Sequence, residues 1–289
     1  MKWKLYLKNL AKPSLLLFSL LSLILLSGCS CPTESTYKEK EIPDIIKKIC
    51  REEYNLSVTT QRVKNTLWIY APLDKLIHKE FDGINQDKIF DEGMLDKAMH
   101  INITIGRVLM SSDNTPEFFV LIFSDIKVGI DYILIGNILD MKKAYSGFLP
   151  EDEIRRRYVI RFKSAPEAIG DTTGFHFIPY NITIQEFLSD QIAQRIGAQF
   201  QDEEMKKYFK VEKSDGKFVD GVFYFGYSIT ETSKPKKKTN VRREILKTIA
   251  YCLKSYDFQN FTGVTLTDLE KQERTDYNKA EVIQWANQL

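Results

Sequence analysis

FFVLIF, residues Phe118 to Phe123, places six apolar side chains on consecutive positions. A strand with one face in water alternates apolar and polar residues, so an unbroken apolar run predicts a central strand covered on both faces. Tyr132 to Ile135 has the same character, and Asp125, Lys127 and Gly129 between the two runs predict a turn. We therefore expect the middle of the chain to form the buried part of a sheet.

The segments before this strand predict two helices and a hairpin. Leu56, Val58 and Thr60 alternate towards a turn near Lys64-Asn65, and Leu67 to Tyr70 predicts the returning strand. Helical spacing of three and four occurs in two sets: Ile42, Ile45, Ile46, Ile49 and Cys50, then Met94, Ala98, Ile101, Ile105 and Val108. The β-branched alternation from Ile101 to Ile105 opposes the second helix locally. The predicted order is helix, hairpin, helix, strand.

Residues 181–289 repeat this order. Apolar spacing predicts two helices, one with Ile184, Phe187, Leu188, Ile192 and Ile196, the other with Ile245, Ile249, Cys252 and Tyr256. Between them, Ser214-Asp215-Gly216 predicts a hairpin turn from Tyr208–Val211 into Phe218–Tyr227. The strand ends FSDIK (Phe123 to Lys127) and LTDLEK (Leu266 to Lys271) are also alike. An internal duplication is one explanation, and chance agreement between two α+β segments is the other.

We predict an α+β chain with two helix-hairpin-helix-strand units, residues 42–140 and 181–289. Each unit is expected to be an antiparallel sheet with helices packed on one face, since a lone hairpin cannot bury its apolar side. A connector, residues 141–180, joins them and contains a predicted strand from Tyr158 to Phe162.

The N-terminal residues 1–28 have the three parts of an export leader. Residues 1–14 contain four lysines and no acidic residue, and Leu15 to Leu26 is an apolar run of 12 residues. A spanning helix needs about 20 residues, so this run is typical of a signal-peptide core. Small residues Ser27 and Gly28 then precede Cys29.

Residues 1–30 resemble a bacterial lipoprotein signal peptide with its lipobox. The resemblance implies a diacylglycerol thioether on Cys29, cleavage before it and acylation of the new amino group. Ser30 implies sorting to the outer membrane rather than the inner one, with the protein facing the periplasm. An ordinary cleaved signal in which Cys29 is incidental is the alternative. Residues 29–41 then form a polar tether, and the membrane is the expected partner through the lipid anchor.

The mature chain is close to neutral. Without the four leader lysines, 37 basic residues face 39 acidic ones, a formal net charge near −2. Such a chain has no general attraction to nucleic acid, so we expect no nucleic-acid partner. Cys50 and Cys252 lie on the apolar stripes of predicted helices, where buried thiols are common, although oxidation to a disulfide is open.

Short catalytic and metal-binding motifs are absent from the sequence. His78, His100 and His176 form neither an HExxH pattern nor a helical pair, and each is expected to be a surface or half-buried histidine. No GxSxG, Walker or GxGxxG motif follows a predicted strand. Asp125, Asp131 and Asp140 are too dispersed for a cation loop. We therefore expect no catalytic residue, no metal and no cofactor.

One coincidence resembles serine penicillin-recognising enzymes. Ser35-Thr36-Tyr37-Lys38 matches SxxK, and Ser112-Asp113-Asn114 matches SDN. The chemistry needs Ser and Lys on a buried helix, whereas SxxK lies in the predicted tether. The third element, KTG, has only Lys238-Thr239-Asn240 as a counterpart, so this function is not expected.

A cationic segment is the clearest surface feature. It consists of Lys234, Lys236, Lys237, Lys238, Arg242 and Arg243. Like charges at this density repel one another, so the segment is either a solvated loop or an anion-binding site for lipid or glycan headgroups.

Two function classes are consistent with these observations. The first is a non-catalytic envelope lipoprotein that binds or scaffolds a protein partner, an anionic lipid or a glycan. The second is a hydrolase of cell-wall or lipid material that uses dispersed acids such as Glu151, Asp152 or Asp171. The first is the expectation, because the chain has an export anchor and lacks the usual catalytic motifs.

Overall fold

The computed structural model describes residues 36–77, 90–235 and 239–286. The helices are α1 (Ile42–Tyr54), α2 (Glu92–Met110), α3 (Ile138–Tyr145), α4 (Glu151–Arg157), α5 (Ile184–Phe200), α6 (Val241–Ser255) and α7 (Lys279–Ala286). The strands are β1 (Thr59–Val63), β2 (Thr66–Leu73), β3 (Phe118–Asp125), β4 (Ile130–Asn137), β5 (Val159–Ser164), β6 (Phe209–Val219), β7 (Val222–Glu231), β8 (Gly263–Asp268) and β9 (Glu273–Asn278). The α+β class is confirmed.

The strands form two mixed sheets. The first has the order β1-β2-β3-β4-β5 and the second the order β6-β7-β8-β9. Each sheet has one parallel pair, β2 with β3 across α2 and β7 with β8 across α6, and its other pairs are antiparallel. A parallel pair needs a crossover connection, and the predicted middle helix of each unit provides it.

β3 is buried along its entire length, as its apolar run predicts. Phe119, Leu121 and Phe123 pack with α1 and α2 on one face. Phe118, Val120 and Ile122 join a second cluster on the other face, together with α5, α6 and the second sheet. The rings of Phe118 and Phe187 lie 5.1 Å apart. The first sheet is therefore covered on both faces, and one core cluster is continuous from the first sheet to the second.

α2 forms despite its β-branched residues. Ile101, Ile105 and Val108 are fully buried against the first sheet, and Asp91 caps the helix by accepting the Gly93 amide. Burial of an Ile or Val side chain contributes about 1.5–3 kcal/mol, more than the few tenths by which helix propensities differ. The predicted helix is confirmed.

The predicted turn at Asp215-Gly216 is wrong. Both residues lie inside β6, and the hairpin turns at Asp220-Gly221, where φ is 50° and 83°. Positive φ at both positions is typical of a type I′ turn. Gly216 instead allows α5 to pack closely on β6, because a Cβ at this position would lie 2.4 Å from the Ser189 carbonyl oxygen of α5.

The two halves share more than the predicted order. Each continues into one more antiparallel strand, which is β4 in the first half, as Tyr132 to Ile135 predicts, and β9 in the second, where the polar sequence lacks a strand signal. Asp125 closes β3 by accepting the amides of Lys127 and Val128 at 3.0 and 3.1 Å. Asp268 closes β8 in the same way, by accepting the amides of Glu270 and Lys271 at 3.1 and 3.2 Å. The alike strand ends therefore occupy corresponding places, which supports the duplication hypothesis.

Cys50 and Cys252 are both free and buried. They belong to different core clusters, so the open question of a disulfide between them is answered in the negative. Burial raises the pKa of the Cys50 thiol to about 11 and that of Cys252 to about 12. Both thiols therefore stay protonated and unreactive at neutral pH.

The chain is held to the folded body from Tyr37 onwards, within the predicted tether. The Tyr37 amide donates to the Ser111 carbonyl at 3.1 Å, and the Asp113 amide donates to the Tyr37 carbonyl at 3.3 Å. The leader, Cys29 and Cys31 lie outside the described residues. Within the described ranges, every helix is too short or too polar to cross a membrane.

Candidate binding cleft

A cleft of about 590 Å³ opens where α4, β5, α5 and α6 meet. Its lining combines basic, polar and apolar side chains: Arg155, Arg156, Tyr158, Ile160, Gln194, Arg195, Ala198, Gln199, Asp202, Glu244, Lys247, Thr248 and Tyr251. The connector supplies α4 and β5, so this part of the chain forms one wall of the site.

A buried ion pair lies behind the cleft. Arg157 of α4 donates through Nη1 to Asp140 Oδ1 at 2.7 Å, and their side chains are 8% and 3% exposed. The Tyr256 hydroxyl donates to the other Asp140 oxygen. Burial would lower the pKa of Arg157, but Asp140 and Glu153 outweigh it and the pKa rises. The Arg157 guanidinium therefore stays charged, and these contacts tie the connector to Tyr256 at the C-terminal end of α6.

Glu153 continues this network to the floor of the cleft. It accepts Arg157 Nε at 2.9 Å, Arg195 Nη2 at 2.7 Å and the Tyr251 hydroxyl at 3.0 Å. The Arg195 guanidinium also stacks on Tyr251, 4.5 Å from the ring centroid. Burial alone would raise the pKa of Glu153, but the hydrogen bonds from Arg195 and Arg157 outweigh it and lower the pKa to about 2.

Glu153 should make the protein less stable in acid. Its pKa falls from 4.5 to about 2 on folding, so its contribution is complete above pH 4.5 and is lost as the pH falls towards 2. The free energy of unfolding should decrease in that window by up to about 1.4 kcal/mol per pH unit. Urea unfolding between these pH values should give a smaller slope for Glu153→Gln than for the wild type. Glu203→Gln, at an exposed ion pair, is the control, and an equal slope in Glu153→Gln would contradict the assignment.

The cleft lining has an excess of basic side chains, with Arg155, Arg156, Arg195 and Lys247 against the acids Asp202 and Glu244. Arg155 pairs with Glu151 on the exposed face of α4, and Lys247 pairs with Glu244 at 2.9 Å. Arg156 is exposed, and within the described part of the chain it has no acidic side chain in ion-pair range. An exposed guanidinium without an ion-pair partner at the rim favours a ligand that carries a carboxylate or phosphate.

β5 forms a free edge of the first sheet beside this rim. The Gln194 side chain caps one position, because its Oε1 accepts the Ile160 amide at 3.0 Å and its Nε2 donates to the Ile160 carbonyl. Those backbone groups point away from β4, and by the two-residue repeat of a strand so do those of Phe162. Ile160 is 38% and Phe162 53% exposed. Arg161 and Lys163 alternate with these two residues along the exposed strand, so the edge combines outward backbone groups and two exposed apolar side chains with basic ones, and it can accept an acidic added strand.

The described residues of the predicted cationic segment, Lys234, Arg242 and Arg243, are not among those that line this cleft. Lys234 is exposed, whereas Lys236, Lys237 and Lys238 lie outside the described residues. Arg242 donates to Glu273 at 3.0 Å, and Arg243 stacks on Trp285 at 5.3 Å. Arg242 and Lys271 share a hollow of about 510 Å³ with three acids, Glu231, Asp268 and Glu270. The anion-binding hypothesis for this segment stays a prediction.

His176 is half-buried as a residue, within the predicted range, and its imidazole side chain is buried. Its side chain is 3% exposed, and Nε2 lies 2.8 Å from Asp131 Oδ2. Ser124 donates to the other oxygen of Asp131. The carboxylate thus separates the hydroxyl from the imidazole, and Ser124 is fully buried, so this trio lacks the hydroxyl-to-imidazole contact of an activated serine. It ties residues 170–180 to the first sheet.

The penicillin-enzyme coincidence has a structural explanation. The bridge between Tyr37 and Ser112 brings the end of SxxK beside SDN. Lys38 is exposed rather than part of a buried helix, and Ser112 donates to the Val108 carbonyl at 2.6 Å. Ser35 and Lys238 lie outside the described residues. The two motifs therefore meet at the surface, where backbone hydrogen bonds hold Tyr37 to the segment that follows α2.

The acids considered for a hydrolase have separate structural roles. Glu151 pairs with Arg155, and Asp171 accepts the amide and hydroxyl of Thr173 at 2.8 and 2.7 Å. Asp152 is exposed in the first turn of α4. Across the three described ranges, no group of three or more His, Cys, Asp or Glu side chains could hold a metal ion.

Sequence reasoning missed the cleft because its residues come from four separate elements. The signal within one element was the i, i+4 spacing of Glu153 and Arg157 on α4, which predicts an ion pair. The other partners of Glu153 and Arg157 are distant in sequence: Asp140, Arg195 and Tyr256. No protein-family model, no curated protein and no solved structure matches this chain.

Proposed function

We propose that the protein is a lipid-anchored, non-catalytic binding protein of the bacterial cell envelope. In this proposal Cys29 carries the lipid, and the body faces the periplasm from the outer membrane. Its binding site is the free edge of β5 together with the cleft beside it. The bound partner is an extended, acidic segment of another envelope protein.

The observation that carries this proposal is the exposed edge of β5 beside a basic rim. An added strand gains backbone hydrogen bonds at Phe162 and buries apolar surface on Ile160 and Phe162. Acidic side chains of the partner then meet Arg155 and Arg156. Complementary charge raises the association rate and selects the partner, while the strand edge supplies affinity.

A photoreactive residue in place of Phe162 tests this site in intact cells. We expect irradiation to give one dominant adduct with an envelope protein, identified by mass spectrometry. The double variant Arg155→Glu/Arg156→Glu should reduce that adduct at least about tenfold, because two favourable rim charges become repulsive. The matched control position is Val219, in the β6–β7 hairpin, which is 43% exposed.

Two results would contradict the binding role. One is an equal pattern of adducts from Phe162 and Val219. The other is a Phe162 adduct whose yield does not change when Arg155 and Arg156 are reversed in charge. Mass measurement of the native protein tests the anchor separately, since diacylation of Cys29 adds a defined mass.

A further inference from the structure

The place where the chain joins the body limits how the body can sit on a membrane. Tyr37 is held to the end of α2 by two backbone hydrogen bonds, and it lies eight positions after Cys29. A fully extended chain spans at most about 3.6 Å per residue, so Tyr37 lies within roughly 28 Å of an acylated Cys29. The surface around Tyr37 is therefore held within that distance of a membrane that carries an acylated Cys29.

That surface has a basic cluster, which consists of Lys38, Lys40, Arg62 and Lys64. With Glu39, Pro43 and Asp113 these residues line a shallow hollow of about 700 Å³. Lys38, Lys40 and Lys64 are all exposed. The cluster therefore exposes its three ammonium groups to solvent on the surface around Tyr37.

The acids of this surface accept internal hydrogen bonds, including the exposed Glu41, whose Oε2 accepts the Lys38 backbone amide at 3.3 Å. Glu39 pairs with Arg62 at 3.0 Å and accepts the Asn114 amide group at 2.6 Å. Asp113 accepts the backbone amides of Glu39 and Asn114 at 2.9 and 2.7 Å. In the described chain, no acidic side chain lies within ion-pair range of the Lys38, Lys40 or Lys64 ammonium. The acids of this surface thus have internal partners, whereas the three lysines have no ion-pair partner and are available to an external anion.

We infer that the basic cluster docks on anionic phospholipid headgroups of the membrane that holds Cys29. This inference rests on the lipid anchor of the proposed function. The link to Cys29 lets the cluster reach the headgroups of that membrane, where electrostatic attraction acts within the screening length of about 8 Å. Each lysine at an anionic surface raises the docked population about fivefold. Three lysines together hold this end of the body down and fix its orientation.

Amine labelling of the acylated protein in liposomes tests the inference. The full mature protein is reconstituted into phosphatidylcholine with about 30% phosphatidylglycerol, an anionic fraction sufficient for polybasic attraction, or into phosphatidylcholine alone. Labelling rates are read lysine by lysine with mass spectrometry. Lys210 and Lys217 on the second sheet are exposed internal controls. The same spectra report whether Cys29 carries its lipid.

In anionic liposomes we expect Lys38, Lys40 and Lys64 to be labelled at least about fivefold more slowly than in zwitterionic ones, because headgroups cover and protonate them. About 0.5 M salt should remove most of the difference. Equal labelling in both liposomes on acylated protein would overturn the inference and leave the proposed function standing. The inference would also be overturned if Lys210 and Lys217 were slowed by anionic lipid as much as Lys38, Lys40 and Lys64. Absence of the lipid mass would overturn the anchor and this inference together.

Discussion

Arg157→Met should lower the free energy of unfolding by about 3–5 kcal/mol, because it leaves a buried carboxylate without its partner. Asp140 and Arg157 are 2% and 7% exposed, and their shortest contact is 2.7 Å. In the variant, Asp140 retains the Tyr256 hydroxyl, which cannot neutralise its charge. The loss therefore exceeds what removal of a surface ion pair costs.

Urea unfolding followed by circular dichroism of the full protein in detergent measures this effect. Arg155→Met is the matched control, since Arg155 lies in the same helix and pairs with Glu151 at an exposed position. It should change the free energy by no more than about 0.5 kcal/mol. The double variant Asp140→Leu/Arg157→Met should regain much of the stability lost in Arg157→Met, because no unpaired buried charge remains. Similar losses in Arg155→Met and Arg157→Met would contradict the burial argument.

This ion pair also illustrates what the sequence cannot reveal. In the run from Glu151 to Arg157, seven residues include three acids and three arginines, a composition typical of a solvated surface helix. Arg155 and Arg156 do lie on that surface, whereas Arg157 is buried. Its burial depends on Asp140 and Tyr256, which are far away along the chain. Local composition contains no information about such partners.

Predictions from local periodicity were accurate where the deciding interactions are themselves local. The run of β3 and the spacing within α2 each reflect the burial pattern of one element. The two Asp-Gly pairs are a counterexample, because both Asp215-Gly216 and Asp220-Gly221 have the chemistry of a hairpin turn. Only the second becomes one, since α5 packs close to Gly216 and holds that pair inside β6.

The candidate site was less accessible to prediction than the fold. The cationic segment around Lys234 is conspicuous in sequence, but Arg242 and Arg243 have partners in Glu273 and Trp285. The cleft instead depends on the crossing of four elements and on the free edge of β5. A sheet edge is a property of strand order, and strand order follows from long-range packing.

Phe119→Ala should lower the free energy of unfolding by about 3–5 kcal/mol, the usual cost of removing a fully buried phenylalanine. Phe119 is 0% exposed, and its ring packs so tightly on Gly136 that a Cβ there would lie 2.4 Å away. Phe148→Ala is the control at an 82% exposed ring, with an expected change below about 0.5 kcal/mol.

The same variant tests whether residues 42–140 and 181–289 unfold separately. Trp68 lies in the first half and Trp285 in the second, so Trp285→Phe and Trp68→Phe backgrounds report on each half by fluorescence. One core cluster extends from β3 to α6, and we therefore expect Phe119→Ala to shift both transitions to the same lower urea concentration. A shift confined to the Trp68 signal would mean that the halves are independent domains, and that the shared cluster contributes little to cooperativity.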